Sequence, residues 1–294
     1  MHLMIPHASA LDDAARHAFG TLQLPHLRAH LARLTPAETW GGDAFSPHPP
    51  HHLAQAALRG QAAPSAAAWA VNEGAACAWA RLTPVHLAVG TDGVDVLPPA
   101  ALPLTADEAA QWQAVLEELW PVAEGWQWRA LKDGHWALGH PGALDAPEFS
   151  AAASIERAAG RPIEPWLPQS RVLRRWQNEA QMLMHGHPLN AAREARGEHA
   201  INSVWMGDIG RAGRLMPDLV VDARLTAPML NGDLAAWAEA WRQLDAGPLA
   251  QPLTSLTLCG ERSAQRFTAQ PLPWWTRLQR RWQAPEPAAV LEAL

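Results

Sequence analysis

The chain has 294 residues, 48% hydrophobic and 18% charged, which is enough apolar material for a sizeable core and rules out a disordered chain. Its formal charge of −6 excludes a non-specific grip on nucleic-acid backbones, which needs clustered Lys and Arg. Lys132 is the only lysine, so a lysine-based mechanism would rest on one residue in an expected turn.

The chain opens on a short apolar run, His2 to Pro6, suited to a buried strand. Helical apolar spacing follows over Leu11–Phe19 and Leu27–Leu34. Residues 35–52 hold Pro, Gly and His and read as a surface loop, because proline does not fit inside regular elements. An Ala-rich stretch over 53–72 predicts helix broken near Gly60 and Pro64. Val85–Val89 and Val94–Leu97 flank Gly-Thr-Asp-Gly93 and predict a hairpin. Trp126 and Trp128, the turn Asp133-Gly134 and His135–Leu138 predict a second hairpin. Between them Thr105–Trp120 reads as a helix, with Thr105 and Glu108 at capping-box spacing. Residues 76–140 are therefore expected to form an antiparallel insert in a single unit spanning 1–294.

The second half alternates helix and strand. Arg171–His185 carries Val172, Leu173, Trp176, Ala180, Leu183 and Met184 on one face. Asn190–Arg196 predicts a short helix stopped by Gly197, and Ile201–Met206 a strand closed by Gly207 to Gly210. Leu219–Val221 and Ser255–Cys259 are further strands around a helix at Leu234–Leu244, so a parallel or mixed sheet is expected. The tail beyond Pro271, with Trp274, Trp275 and Trp282 among arginines, reads as a peripheral amphipathic helix. Sixteen Trp against four Phe and no Tyr suggest a core that uses indoles for bulk, with a recognition surface as the alternative. Cys77 and Cys259 stand alone, Met1–Ala10 has no signal-peptide pattern, and no apolar run approaches the ~18 residues of a membrane span. The cytoplasm is the expected compartment.

The densest chemistry lies between His185 and Gly210. His187, Asn190, Arg193 and Asn202 offer hydrogen bonds to a small anionic or polar ligand, and Trp205 could wall the site. Gly207 and Gly210 would add backbone donors at a strand's carboxyl end, where open α/β sheets bind ligands. The alternative for the same residues is packing, with Asn190 capping a helix and Asn202 satisfying buried backbone. His48, His51 and His52 are the candidates for a metal, but imidazoles without Cys or placed carboxylates are not diagnostic. No cofactor is expected. G-x-S-x-G, Walker and GxGxxG patterns are absent.

Trp176-Gln-Asn-Glu179, Gln181-Met-Leu, His187-Pro, Asn190, Ala192 to Gly197 and Asn202 to Trp205 together resemble the RpfE-type regulatory protein family of proteobacteria. Leu24 to Leu27, Phe45-Ser-Pro, Leu82 to His86 and Val89 to Asp92 extend that resemblance over most of the chain. Members are often labelled phosphoglycerate mutase-like. Asn190, Arg193, Gly197, Asn202, Trp205 and Gly207 are also similar to a segment of archaeal-type cofactor-independent phosphoglycerate mutases, of the alkaline phosphatase superfamily. That resemblance implies a degenerate alkaline-phosphatase-like mixed sheet with flanking helices and an antiparallel insert. It also implies two catalytic metals, but the first strand here runs into Pro6-His7-Ala-Ser9 without an acidic residue, and Glu261-Arg262 follows Cys259-Gly260. A two-metal site needs several carboxylates and histidines. The expected function is therefore a regulatory or binding protein for a small polar ligand or a protein partner, away from membranes. A metal-dependent mutase or phosphatase is the alternative.

Overall fold

The computed structural model describes residues 1–10, 13–71, 77–91, 93–98, 101–131, 134–214, 216–270 and 285–294. The expected helix around Trp274, Trp275 and Trp282, the residue Lys132, and the turn residues Asp92 and Asp133 lie outside them. Two units share the chain: Met1–Ala44 with Leu53–Gln55 and Met216–Leu294, and Phe45–His52 with Ala56–Leu215.

The first unit is a mixed sheet with flanking helices. Its strands are β1 (His2–Ile5), β2 (Thr35–Gly41), β9 (Leu219–Val221), β10 (Ser255–Cys259) and β11 (Ser263–Thr268), in the order β2-β11-β10-β1-β9. β1 runs parallel to both neighbours, pairing Leu3 with Leu256 and Val220, and is buried along its whole length. That explains its unbroken apolar run, since a strand covered on both faces has no polar side to show. Leu3, Ile5, Leu256 and Leu258 meet Leu27 and Leu31 from helix Pro25–Arg33, and Trp237, Trp241 and Leu244 from helix Leu234–Ala246. The buried carboxylate of Asp245 accepts from the His26 and Leu27 backbone N–H groups, satisfying two donors that a helix start leaves open.

Residues 35–52 are not one loop. Thr35–Gly41 forms the edge strand β2, where Pro36 sits beside an irregularity in the pairing with β11. An edge tolerates proline because one side of the strand needs no N–H. Pro50 opens the helix Pro50–Leu58, a position where the missing donor costs nothing. β11 is a strand that the sequence pattern did not reveal.

The second unit holds an antiparallel sheet ordered β6-β7-β3-β8, from β3 (Ala78–Val85), β6 (Gln127–Ala130), β7 (Trp136–His140) and β8 (Ser203–Arg211). The expected hairpins are β4–β5 (Leu87–Val89 and Val94–Val96) and β6–β7. Helix Ala106–Leu116 carries both hydrogen bonds of the Thr105–Glu108 capping box. Helix Arg171–Met184 buries Leu173, Ala180 and Met184. Trp112, Trp120, Trp126, Trp128 and Trp136 gather in one core with them, so these indoles provide bulk.

The largest difference from expectation concerns β8. Gly207 to Gly210 do not close a strand; β8 runs through them to Arg211, antiparallel to β3. The glycines therefore do not lie beyond the carboxyl end of a parallel strand. Trp79 pairs with Gly210 and Arg81 with Gly207, so Ala80 faces both Asp208 and Ile209 across a bulge. Asp208 takes φ 54, a left-handed conformation that Asp tolerates better than most residues. A bulge re-aims a side chain, and here it aims a carboxylate into the interior.

Candidate functional site

Most of the polar residues expected to meet a ligand hold the fold together. The His187 ring accepts from the Leu189 N–H at 3.2 Å and caps helix Pro188–Ala195, the role expected of Asn190. Asn190 donates to the Met184 and Ile201 carbonyls and accepts from the Ile201 N–H at 2.8 Å. Arg193 is 0% exposed; it donates to the His199 and Pro103 carbonyls and pairs with Glu108. Asn202 accepts from the Leu87 N–H and donates to the Leu87 carbonyl, copying a strand partner. Gly210 lets Ser65 approach where a Cβ would collide. These bonds are made within the fold, and one buried guanidinium nitrogen, Arg193 Nη2, has no hydrogen-bond partner.

The other end of the same stretch behaves differently. Asp208 is 1% exposed, and its Oδ1 lies 3.4 Å from His52 Nδ1 and 3.9 Å from His48 Nδ1. None of these three atoms makes a hydrogen bond within the protein. His48 Nε2 sits 2.8 Å from the Ser150 carbonyl oxygen, which can only accept, so Nε2 carries the proton. In the neutral ring Nδ1 is then a bare lone pair, and it faces a carboxylate oxygen that is also only an acceptor. Burial pushes the His48 pKa below its usual value, which keeps the ring neutral. A metal ion is one group that would satisfy both acceptors.

The electrostatics of the other two groups describe an ion pair. Burial opposes charge on Asp208, yet the neighbouring His52, Arg81 and His48 hold its carboxyl below the usual range. Burial likewise opposes charge on His52, but Asp208 and Glu156 hold its pKa above the usual value. Asp208 Oδ2 is reached by the Ser154 hydroxyl at 3.4 Å, with Arg81 Nε at 4.0 Å.

His48 Nδ1, His52 Nδ1 and Asp208 Oδ1 all lie within 4.8 Å of one another. Ligands of a tetrahedral zinc-type ion, bonded at about 2.0–2.1 Å, stand roughly 3.3 Å apart, near the two separations from Asp208. Of the three expected metal candidates, His48 and His52 are brought to this point. His51 is turned to Glu156, its Nε2 lying 3.3 Å from Oε2.

Asp208, Ser150, Ser154 and Glu156 were missed by sequence reasoning. The one available signal was Asp208 itself, a charged residue inside an otherwise buried strand. Two residues of the expected site do frame the cluster. Trp205 donates its indole N–H to the Ala153 carbonyl at 2.8 Å, and a Cβ at Gly207 would run into the same oxygen.

The arrangement is a buried cluster of two histidines and one aspartate in an α/β protein, of a kind that could hold a metal ion. No family model and no curated protein matches the sequence. Among solved structures, the chain is similar to the cofactor-independent phosphoglycerate mutase from Thermoplasma acidophilum, with 10% identity, a TM-score of 0.35, and 92% of this chain and 90% of that chain covered. It is also similar to the PH0037 protein from Pyrococcus horikoshii, with 9% identity, a TM-score of 0.47, and coverages of 91% and 87%. Among the described residues no helix is long and apolar enough to cross a membrane.

Proposed function

We propose that this protein binds one divalent transition-metal ion through His48 Nδ1, His52 Nδ1 and Asp208 Oδ1, and works as a metal-dependent binding protein. The observation that carries the reading is the buried convergence of His48 Nδ1, His52 Nδ1 and Asp208 Oδ1 within 4.8 Å of one another. Two imidazoles and a carboxylate suit zinc, cobalt, nickel or ferrous iron, whereas calcium and magnesium prefer oxygen-only sets. The regulatory role implied by the RpfE-type resemblance belongs to this proposal, with the ion as the ligand that the stretch up to Gly210 serves.

Chelator-treated protein titrated calorimetrically with Zn²⁺ is expected to take up one ion. His48→Ala and Asp208→Asn should each abolish that uptake while circular dichroism stays unchanged. Wild-type protein that takes no ion would sink the reading.

The ligand count favours a second reading. Three protein ligands leave one place open, as in catalytic rather than structural zinc sites. Hydrolysis of a phosphorylated small molecule that stops with chelator and with Asp208→Asn would establish it.

A further inference from the structure

We propose that Glu156 is a positioning residue for the metal ligand His52, and that the short segment from Ser150 to Glu156 orients all three ligands. This inference rests on the metal-binding reading above. The Ser150 carbonyl accepts from His48 Nε2 at 2.8 Å, and the Ser154 hydroxyl reaches Asp208 Oδ2 at 3.4 Å. Glu156 Oε1 stands 4.0 Å from His52 Nε2, the ring nitrogen turned away from Asp208. Each ligand thus presents one atom to a common point and has its second polar atom addressed from the same seven-residue stretch.

The chemistry of that division is general. A histidine that binds a metal through one nitrogen gives its other N–H to a carboxylate or carbonyl, which fixes the tautomer and raises the basicity of the ligating atom. His48 hydrogen-bonds its carbonyl partner at 2.8 Å, and His52 has a carboxylate at 4.0 Å, within ion-pair range. Glu156 faces the wrong edge of the His52 ring to be a ligand itself, and its other oxygen is 3.3 Å from His51 Nε2. His51 therefore holds the carboxylate in turn, which gives the third expected histidine a place in the same assembly.

The segment is itself pinned. The Ser154 N–H donates to the Pro47 carbonyl and Arg157 Nε to the Ser46 carbonyl, tying it to the stretch that carries His48. Trp205 holds the Ala153 carbonyl, and Gly207 leaves the room that this close approach to β8 requires.

The test compares wild type with Glu156→Gln and Glu156→Asp in the full chain, using Zn²⁺ affinity by chelator competition and the visible spectrum of the Co²⁺-loaded protein. Glu156→Gln is expected to weaken Zn²⁺ binding on the order of 10–100-fold and to move the Co²⁺ ligand-field bands. Glu156→Asp, which keeps the charge but retracts it, should fall between the two. Wild-type affinity and an unmoved Co²⁺ spectrum in both variants would overturn the role of Glu156 while leaving the metal site standing. A wild type that binds neither ion brings down the metal reading itself, a separate and recognisable failure. Glu156→Gln protein that does not fold leaves Glu156→Asp to decide by the same two readouts.

Discussion

Asn190 with Arg193, and Asp208 with His48 and His52, are both buried polar groups in the same unit, yet they differ in how they are satisfied. Around Asn190 donors meet acceptors: amide to carbonyl, backbone N–H to amide oxygen, guanidinium to carbonyl and carboxylate. Around Asp208, Oδ1 faces the acceptor His48 Nδ1 at 3.9 Å, with His52 Nδ1 at 3.4 Å. An interior that satisfies nearly every polar group makes the first pattern ordinary and the second informative. That mismatch is what the proposed metal site is argued from.

The comparison can be broken most forcefully at Arg193. Its guanidinium is fully buried and paired through Nε and Nη1, so Arg193→Ala should cost about 3–5 kcal/mol in urea unfolding, because carbonyls and Glu108 lose their partner. Zn²⁺ affinity of the folded fraction should be unchanged; a parallel loss of binding would mean that the two clusters are not distinct. Next in size is the effect of the ion. Zn²⁺ at a hundredfold excess over its Kd should add about 2.7 kcal/mol to stability, and Asp208→Asn should remove that gain entirely. Thermal melts with and without metal read both.

Gly207→Ala sharpens the link between β8 and the segment beside it. The new Cβ would collide with the Ala153 oxygen, so about 1–3 kcal/mol of destabilisation is expected, together with weaker Zn²⁺ binding. Destabilisation without any change in affinity would detach the segment from the proposed metal site. The smallest effect concerns His2, a satisfied buried group whose Nε2 pairs with Thr257 Oγ1 at 2.8 Å. Burial lowers its pKa to about 4 in the folded protein. The unfolded chain, with an ordinary value near 6.5, then binds more protons in that window, so stability is complete above about pH 6.5 and falls towards pH 4. His2→Gln should flatten that part of the pH–stability profile; an unchanged slope would assign it to other groups.

Local patterns in the chain were enough for several elements. The Thr105–Glu108 capping box, the hairpins at 85–97 and 126–138, the break near Gly60 and the buried first strand each depend on neighbours within a few positions. Elements that depend on distant partners were not legible. β2 is a strand because β11 lies beside it, and proline inside it is tolerated only at that edge. Gly207 and Gly210 looked like the end of a strand because glycine weakens strands. In the sheet they are the places where Ala153 and Ser65 press against β8.

By itself the sequence determined the α/β class, the mixed sheet with flanking helices, and two short stretches worth inspecting, His48–His52 and His185–Gly210. It did so because periodicity, capping and turn chemistry are local. Only the tertiary structure decided that these stretches meet at one carboxylate. That meeting requires a bulge opposite Ala80 and a left-handed backbone at Asp208, which no local pattern announces. Whether a buried polar group is satisfied depends on atoms far along the chain, and so the site emerged from the packing rather than from the spacing.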